Sequence, residues 1–212
     1  MQMNPGYRAM CAATLSFLVG CGAIPADESA PAEDEIGAIR QPLSCAATVK
    51  VYPVRGAHNN GWDAKCNSTS SHDCPIACTT SASVISNSDF AGKGAKKPHY
   101  GNDIFAARGT RVVAPTDGTI RIGFSDPSGG KVVYVQDGCG WWYYHAHLNT
   151  INPALYVGKT VTAGEYLGEV GNTGGAAGTQ THLHFSIYPN GVYTDGIDPY
   201  RLLKDVEPSA CL

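Results

Sequence analysis

Residues 141–147 read Trp141-Trp-Tyr-Tyr-His-Ala-His147, and residues 131–136, shortly before, read Lys131-Val-Val-Tyr-Val-Gln136. Both runs are rich in the β-branched and aromatic side chains that suit a pleated, half-buried surface. A tight connection joins them, so they read as neighbouring strands. Working outward, Gly118-Thr-Ile-Arg-Ile122, Tyr166 to Val170 and Leu183 to Tyr188 supply further strands. The stretch 101–113 gives a turn and a short strand, while 155–158 and 161–164 give turns and a short extended piece. No stretch after residue 98 carries a long helical period. The expected fold is mostly β: an antiparallel β-sheet or β-sandwich-like core with one face carrying a polar cluster.

Upstream, Thr48-Val-Lys-Val-Tyr-Pro53 reads as a first strand. Residues 56–97 are rich in serine, asparagine, glycine and cysteine, with few apolar side chains to bury, so disulfides would have to order them. Residues 22–44 mix prolines and acidic residues with small ones, a composition suited to a flexible tether. At the start, Arg8 precedes the apolar stretch 9–19, and the small residues Gly20, Cys21 and Gly22 follow. That is the order of a secretory signal, and the run is short for a membrane span. Leu18-Val19-Gly20-Cys21 resembles a bacterial lipoprotein signal, which implies cleavage before Cys21 and lipid on its thiol. Glycine rather than aspartate at position 22 points to the outer membrane; the alternative is a secreted or periplasmic protein. The expected divisions are a leader (1–20), a tether (21–44), a first strand with a Cys-rich segment (45–97) and a core (98–205).

The net charge is -3 with no basic stripe, which sets nucleic acid aside as a partner. Beyond Cys21, Cys45, Cys66, Cys74, Cys78, Cys139 and Cys211 make an even set in an exported chain, so three disulfides are expected, of open connectivity. A second metal site at Cys66, His72, Cys74 and Cys78 is the weaker reading, because the spacing lacks a paired Cys-x-x-Cys pattern.

The chain has seven histidines, and most fall in three short motifs: His99-Tyr-Gly-Asn-Asp103, His145-Ala-His147 and His182-Leu-His184. Imidazole and carboxylate donors in this ratio suit Zn²⁺, and three protein ligands with one open position make such an ion catalytic. In a strand, alternate residues share a face, so His182 and His184 point together while Leu183 and Phe185 enter the core. The same rule places His145 and His147 on one face. His99 and Asp103 lie four apart across a glycine-containing turn and can fold onto one ion. Gly171-Asn-Thr-Gly-Gly-Ala-Ala-Gly178 is a loop without the lysine and hydroxyl residue of a phosphate-binding P-loop.

Taken together, His99-x-Gly-x-Asp103, His147-Leu148, Gly171-x-Thr-Gly174 with Gly178, and His182-Leu-His184-Phe185 resemble the M23 metallopeptidases of the lysostaphin and LytM type, across roughly residues 98–190. Tyr52-Pro-Val-Arg-Gly56 is similar, more weakly, to the first strand of that domain. The resemblance implies a β-rich groove with zinc held by His99, Asp103 and His184, and with His147 and His182 assisting catalysis. It implies hydrolysis of peptide bonds in bacterial peptidoglycan. One departure is His145, where the family usually has tyrosine; it is expected beside the ligands in the second shell, in contact with substrate, or competing for metal. The other readings are a non-catalytic relative that regulates a wall enzyme, and a wall-binding lipoprotein with structural zinc only.

Overall fold

The computed structural model describes residues 43–60, 83–85 and 89–207. The leader, Cys21, nearly all of the tether, and Cys66, His72, Cys74, Cys78 and Cys211 lie outside the described residues. In chain order the first strands are β1 (Val54–Arg55), β2 (His58–Asn60), β3 (Ser83–Ile85), β4 (Asn102–Ala106) and β5 (Arg111–Val113). Next come β6 (Gly118–Arg121), β7 (Ser125–Asp126), β8 (Gly130–Lys131), β9 (Val133–Gln136) and β10 (Trp141–Ala146). The last are β11 (Thr150–Ile151), β12 (Thr160–Val161), β13 (Tyr166–Glu169) and β14 (His182–Pro189), followed by a short helix α1 (Tyr200–Asp205).

An eight-stranded sheet runs in the order β12-β6-β9-β10-β14-β4-β2-β3, and a four-stranded sheet runs β1-β5-β13-β11. Pairings are antiparallel except for β2 with β3, which is parallel. The fold is mostly β, as the alternating patterns require.

Register decides what each face carries. In the centre of the large sheet, Ala146 of β10 lies opposite His184 of β14, which lies opposite Asp103 of β4. One row across three strands therefore shares a face. The residues one step away, His145, Phe185 and Asn102, share the other face. That other face packs the main core, where Ile104, Val133, Val135, Tyr143, Leu183, Phe185 and Ile187 are all fully buried. The groove face has its own smaller apolar cluster around Val132, Tyr144, Ala146 and Tyr188, with Tyr134 and Trp142 packed beside it.

Two sequence expectations need correction here. Residues 48–53 do not form a strand; strand pairing starts at Val54. The amides of Lys50 and Val51 both donate to the carbonyl of Pro115, at 2.8 and 3.1 Å, so the even spacing of a ladder is lost. Thr48 turns instead to the buried phenol of Tyr143, donating to it through N–H and accepting from it through C=O. The N-terminal segment is also tied by Trp141, whose indole donates to the carbonyl of Cys45 at 2.8 Å, and by a Cys45–Cys139 disulfide with Cα atoms 5.4 Å apart.

The second correction concerns the middle histidines. His145 and His147 do not share a face. β10 ends at Ala146 on the groove face, so alternation would send His147 to the core with His145. His147 instead has φ of 63°, in the left-handed region that non-glycine residues rarely occupy. That single dihedral turns its ring back into the groove and lets Leu148 enter the core. His145 stays fully buried on the core side, packed against Phe185, with Nδ1–H donating to the carbonyl of Val133 at 3.1 Å. It is neither near the ligand atoms nor open to substrate.

Candidate active site

The groove face brings His99, Asp103, His147, His182 and His184 around one hollow of about 270 Å³, with Tyr144 and Tyr193 on its walls. Strand β4 presents Asp103, β14 presents His182 and His184, and the turn before β4 presents His99. Gly101 makes that turn possible. A Cβ there would collide with the carbonyl of Phe185 and the hydroxyl of Ser186, so only glycine lets the turn lie this close to β14.

Three atoms converge. His99 Nε2 lies 3.2 Å from Asp103 Oδ1 and 3.0 Å from His184 Nδ1, and His184 Nδ1 lies 2.9 Å from Asp103 Oδ1. Donors bound tetrahedrally to zinc at ~2.0 Å stand roughly 3.3 Å apart, so this triangle has the right size and the right chemistry for the ion.

Three of these rings have their proton fixed by a backbone carbonyl, which can only accept. His99 Nδ1–H donates to the carbonyl of Asp89 at 2.9 Å, which leaves Nε2 as the atom aimed at the triangle. His184 turns the other way: Nε2 faces the hydroxyls of Ser186 at 2.9 Å and Tyr193 at 3.0 Å, which can accept its proton, and Nδ1 points into the triangle. His147 Nδ1–H donates to the carbonyl of Thr173 at 2.8 Å, and His182 Nδ1–H to that of Gln180 at 2.7 Å. Both of these rings therefore offer Nε2 to the groove, and they stand 5.0 Å apart between centroids. His182 Nε2 is 3.8 Å from Asp103 Oδ1.

The electrostatics follow from the cluster. Burial alone would lower His99, but the hydrogen bond and charge of Asp103 outweigh it and raise the group to about 9. Burial alone would raise Asp103, yet hydrogen bonds from His184 and His99 hold its carboxyl well below the usual range. The site thus keeps one anionic oxygen at the centre of the three converging groups. His147 is pushed down to about 4 by burial first, then by the imidazoles of His182 and His184, so it is neutral at pH 7.

Several contributors were not visible in the sequence. Asp89 is almost fully buried behind His99 and Asp103. Its carboxylate accepts from Asn102 Nδ2 at 2.7 Å and from the amide of Asp103 at 3.2 Å. Burial, then the charge of Asp103, raises it to about 6. It lies in a polar stretch without periodicity, so no pattern marked it. Ser186 sits two residues beyond His184 in the same strand, and alternation alone would have found it. Tyr193 comes from the loop after β14 and had no signal. The Gly-rich loop 171–178 has a defined job: its Thr173 carbonyl orients His147, and its Gly174 backbone packs where a side chain would strike Gly130.

Comparison with known proteins fits this arrangement. Residues 97–196 match the model of peptidase family M23. The matched segment contains His99, Asp103, His147, His182 and His184, whereas Asp89 and the Cys45 end of the disulfide precede it. The chain is 31% identical over 140 residues to an L-Ala--D-Glu endopeptidase of Bacillus subtilis, an alignment covering 63% of this chain and 43% of that protein. It is 36% identical over 111 residues to the glycyl-glycine endopeptidase ALE-1 of Staphylococcus capitis, covering 50% and 29%. The chain therefore spans less than half the length of either curated relative. Among solved structures, the catalytic domain of the antimicrobial peptidase lysostaphin from Staphylococcus simulans is similar at 32% identity, covering 54% of this chain and 86% of that domain with a TM-score of 0.48.

Proposed function

We propose that the chain is a zinc metalloendopeptidase that hydrolyses peptide bonds in bacterial peptidoglycan. The observation that carries this reading is the triangle of His99 Nε2, Asp103 Oδ1 and His184 Nδ1, flanked by two histidines whose Nε2 atoms face the same hollow. His99, Asp103 and His184 would hold the ion. An ion held there would supply Lewis-acid chemistry, lowering the pKa of a water toward ~7 and polarising a carbonyl.

The remaining chemistry belongs to the chain. His147 enters uncharged, held by Thr173, and its Nε2 accepts a proton from the attacking water. His182, held by Gln180 on the other side of the hollow, places its Nε2 to hydrogen-bond the tetrahedral intermediate. The proton taken up by imidazole is then returned to the leaving amine. Ser186 and Tyr193 keep His184 in its orientation, and their loss loosens the ligand rather than the base.

The two curated relatives above carry names for different bonds, L-Ala–D-Glu and glycyl-glycine, so a wall peptide is the proposed class and the bond itself is to be measured. Export with a lipid on Cys21, anchoring the protein at the outer membrane, completes the reading; labelling with a radioactive fatty acid that Cys21→Ser abolishes would support it.

The test is mass spectrometry of purified walls after incubation with the protein. New amine termini are expected with the wild-type chain. His99→Ala and His184→Ala should lose zinc and activity together, while His182→Ala should keep zinc and lose most turnover. Full activity of His182→Ala, or walls left intact by a zinc-replete protein, would overturn the reading.

A further inference from the structure

The groove does not end at the candidate site. A second hollow of about 400 Å³ continues along the same sheet face and shares Ser128, Tyr144 and Tyr193 with the first. Its floor is aromatic because register places Tyr144 opposite Tyr134 across β10 and β9, and Trp142 opposite Tyr188 across β10 and β14. Neighbouring rings are 4.8 Å apart for Tyr134 and Tyr144, 6.1 Å for Tyr134 and Trp142, and 6.4 Å for Trp142 and Tyr188. Tyr193 closes the circuit as a wall, nearly perpendicular to both Tyr144 (81°) and Tyr188 (80°).

A carboxylate sits against these rings. Asp126 Oδ2 accepts from the phenols of Tyr144 at 2.7 Å and Tyr134 at 3.0 Å, while Oδ1 accepts from the amide of Gly129 at 2.5 Å. Partial burial would raise this carboxyl, but those hydrogen bonds hold it below its ordinary value, so it stays charged. Burial raises the Tyr134, Tyr144 and Tyr188 phenols, which stay neutral. No lysine or arginine lines the hollow among the described residues. Aromatic faces are the negative part of the ring quadrupole, so rings and carboxylate together favour a cation. At the rim, Ile122 is 53% exposed with φ of 57°, a strained conformation for a β-branched residue that holds an apolar side chain at the mouth.

We propose that this hollow is a substrate subsite for a residue whose side chain ends in a primary ammonium, its methylene stem lying along the tyrosine rings and its charge directed at Asp126. The inference rests on the peptidase reading of the adjoining site. Continuity through Tyr144 and Tyr193 puts the subsite next to the bond to be cut, where it selects lysine-type wall peptides; a diaminopimelate side chain would bring a second carboxylate against Asp126. A flat sugar would need an open ring face. Tyr144 and Tyr188 are nearly buried, and the Tyr193 wall leaves room for a narrow chain instead.

The test compares binding of three blocked pentapeptides, with central lysine, Nε-acetyl-lysine or norleucine, to the zinc-loaded protein by calorimetry and tryptophan fluorescence. Lysine should bind roughly tenfold more tightly than either neutral peptide, as expected for a cation over aromatic faces beside a carboxylate. Asp126→Asn and Tyr134→Leu should each remove most of that preference; circular dichroism and zinc content show whether each variant is folded. Because Asp126 also anchors the turn at Gly129, Tyr134→Leu serves as the independent variant. Equal affinity for the three peptides, or a folded pair of variants that keep the lysine preference, overturns the proposal, as does tighter binding of a chitin oligosaccharide that these variants abolish. Walls cut without any lysine preference would sink the subsite alone. Preferential lysine binding without cleavage would sink the peptidase reading and leave the ammonium site standing.

Discussion

Asp89 grips the His99–Asp103 motif twice. Its backbone carbonyl takes the Nδ1–H of His99, and its buried carboxylate takes the amide of Asp103 and the side chain of Asn102. Removing the carboxylate leaves those donors without an acceptor and frees the turn to drift. We expect Asp89→Ala to weaken zinc binding by roughly 10–100-fold, as losses behind metal ligands do, measured by competition with a chromogenic chelator. At the same scale, His145 carries a pH signature. Burial lowers it to about 4 in the folded chain, below its ordinary 6.5. The unfolded chain therefore binds a proton between these values and the folded chain does not. Stability from this group is full above pH ~6.5 and falls as pH drops toward ~4, by up to roughly 3 kcal/mol. Urea unfolding at pH 7 and pH 5 should show that loss, and His145→Phe should flatten it; an unchanged slope would show that other groups govern the acid limb.

At the scale of elements, the site is two strands, a turn and a loop held in contact. The turn 99–103 meets β14 only because residue 101 has no side chain. Gly101→Ala should separate Asp103 from His184, costing about 1–3 kcal/mol in stability and most of the zinc affinity. Thermal melting with and without zinc reads both effects, and a variant with wild-type zinc binding would contradict the geometry. The loop 171–178 acts on a different residue. Gly174 has φ of 66° and no room for a side chain against Gly130, so Gly174→Ala displaces the Thr173 carbonyl that holds His147. Zinc content should survive while kcat falls, because no metal ligand moves. The paired histidines of β14 could be read directly from alternation, as could the burial of Leu183 and Phe185 between and beside them. The same rule failed at His147, because alternation assumes extended backbone and His147 leaves it.

For the whole molecule, two connections across long sequence distance hold the N-terminal segment to the sheet. One is the set of bonds from Thr48 and Cys45 to Tyr143 and Trp141, and the other is the disulfide between Cys45 and Cys139, 94 residues apart. Closing a loop of that length stabilises the folded state by about 4.7 kcal/mol in the chain-entropy view. Cys45→Ser with Cys139→Ser should lower the melting temperature by roughly 10–20 °C and leave zinc affinity intact, since neither cysteine lies near the hollow. Loss of zinc in that variant would mean the site depends on the N-terminal clamp.

From the linear chain alone came the β class, the strands around residues 118–122, 131–136 and 141–147, and the histidines and aspartate worth suspecting. All of these are local patterns: side-chain type and a period of two are properties of neighbouring residues. Folding alone decided that Asp89 braces His99 and Asp103, that His145 belongs to the core while His147 faces the groove, and that five aromatic rings from β9, β10, β14 and the loop beyond meet over Asp126. Those outcomes depend on register between strands distant in sequence and on one left-handed dihedral, neither of which local pattern encodes.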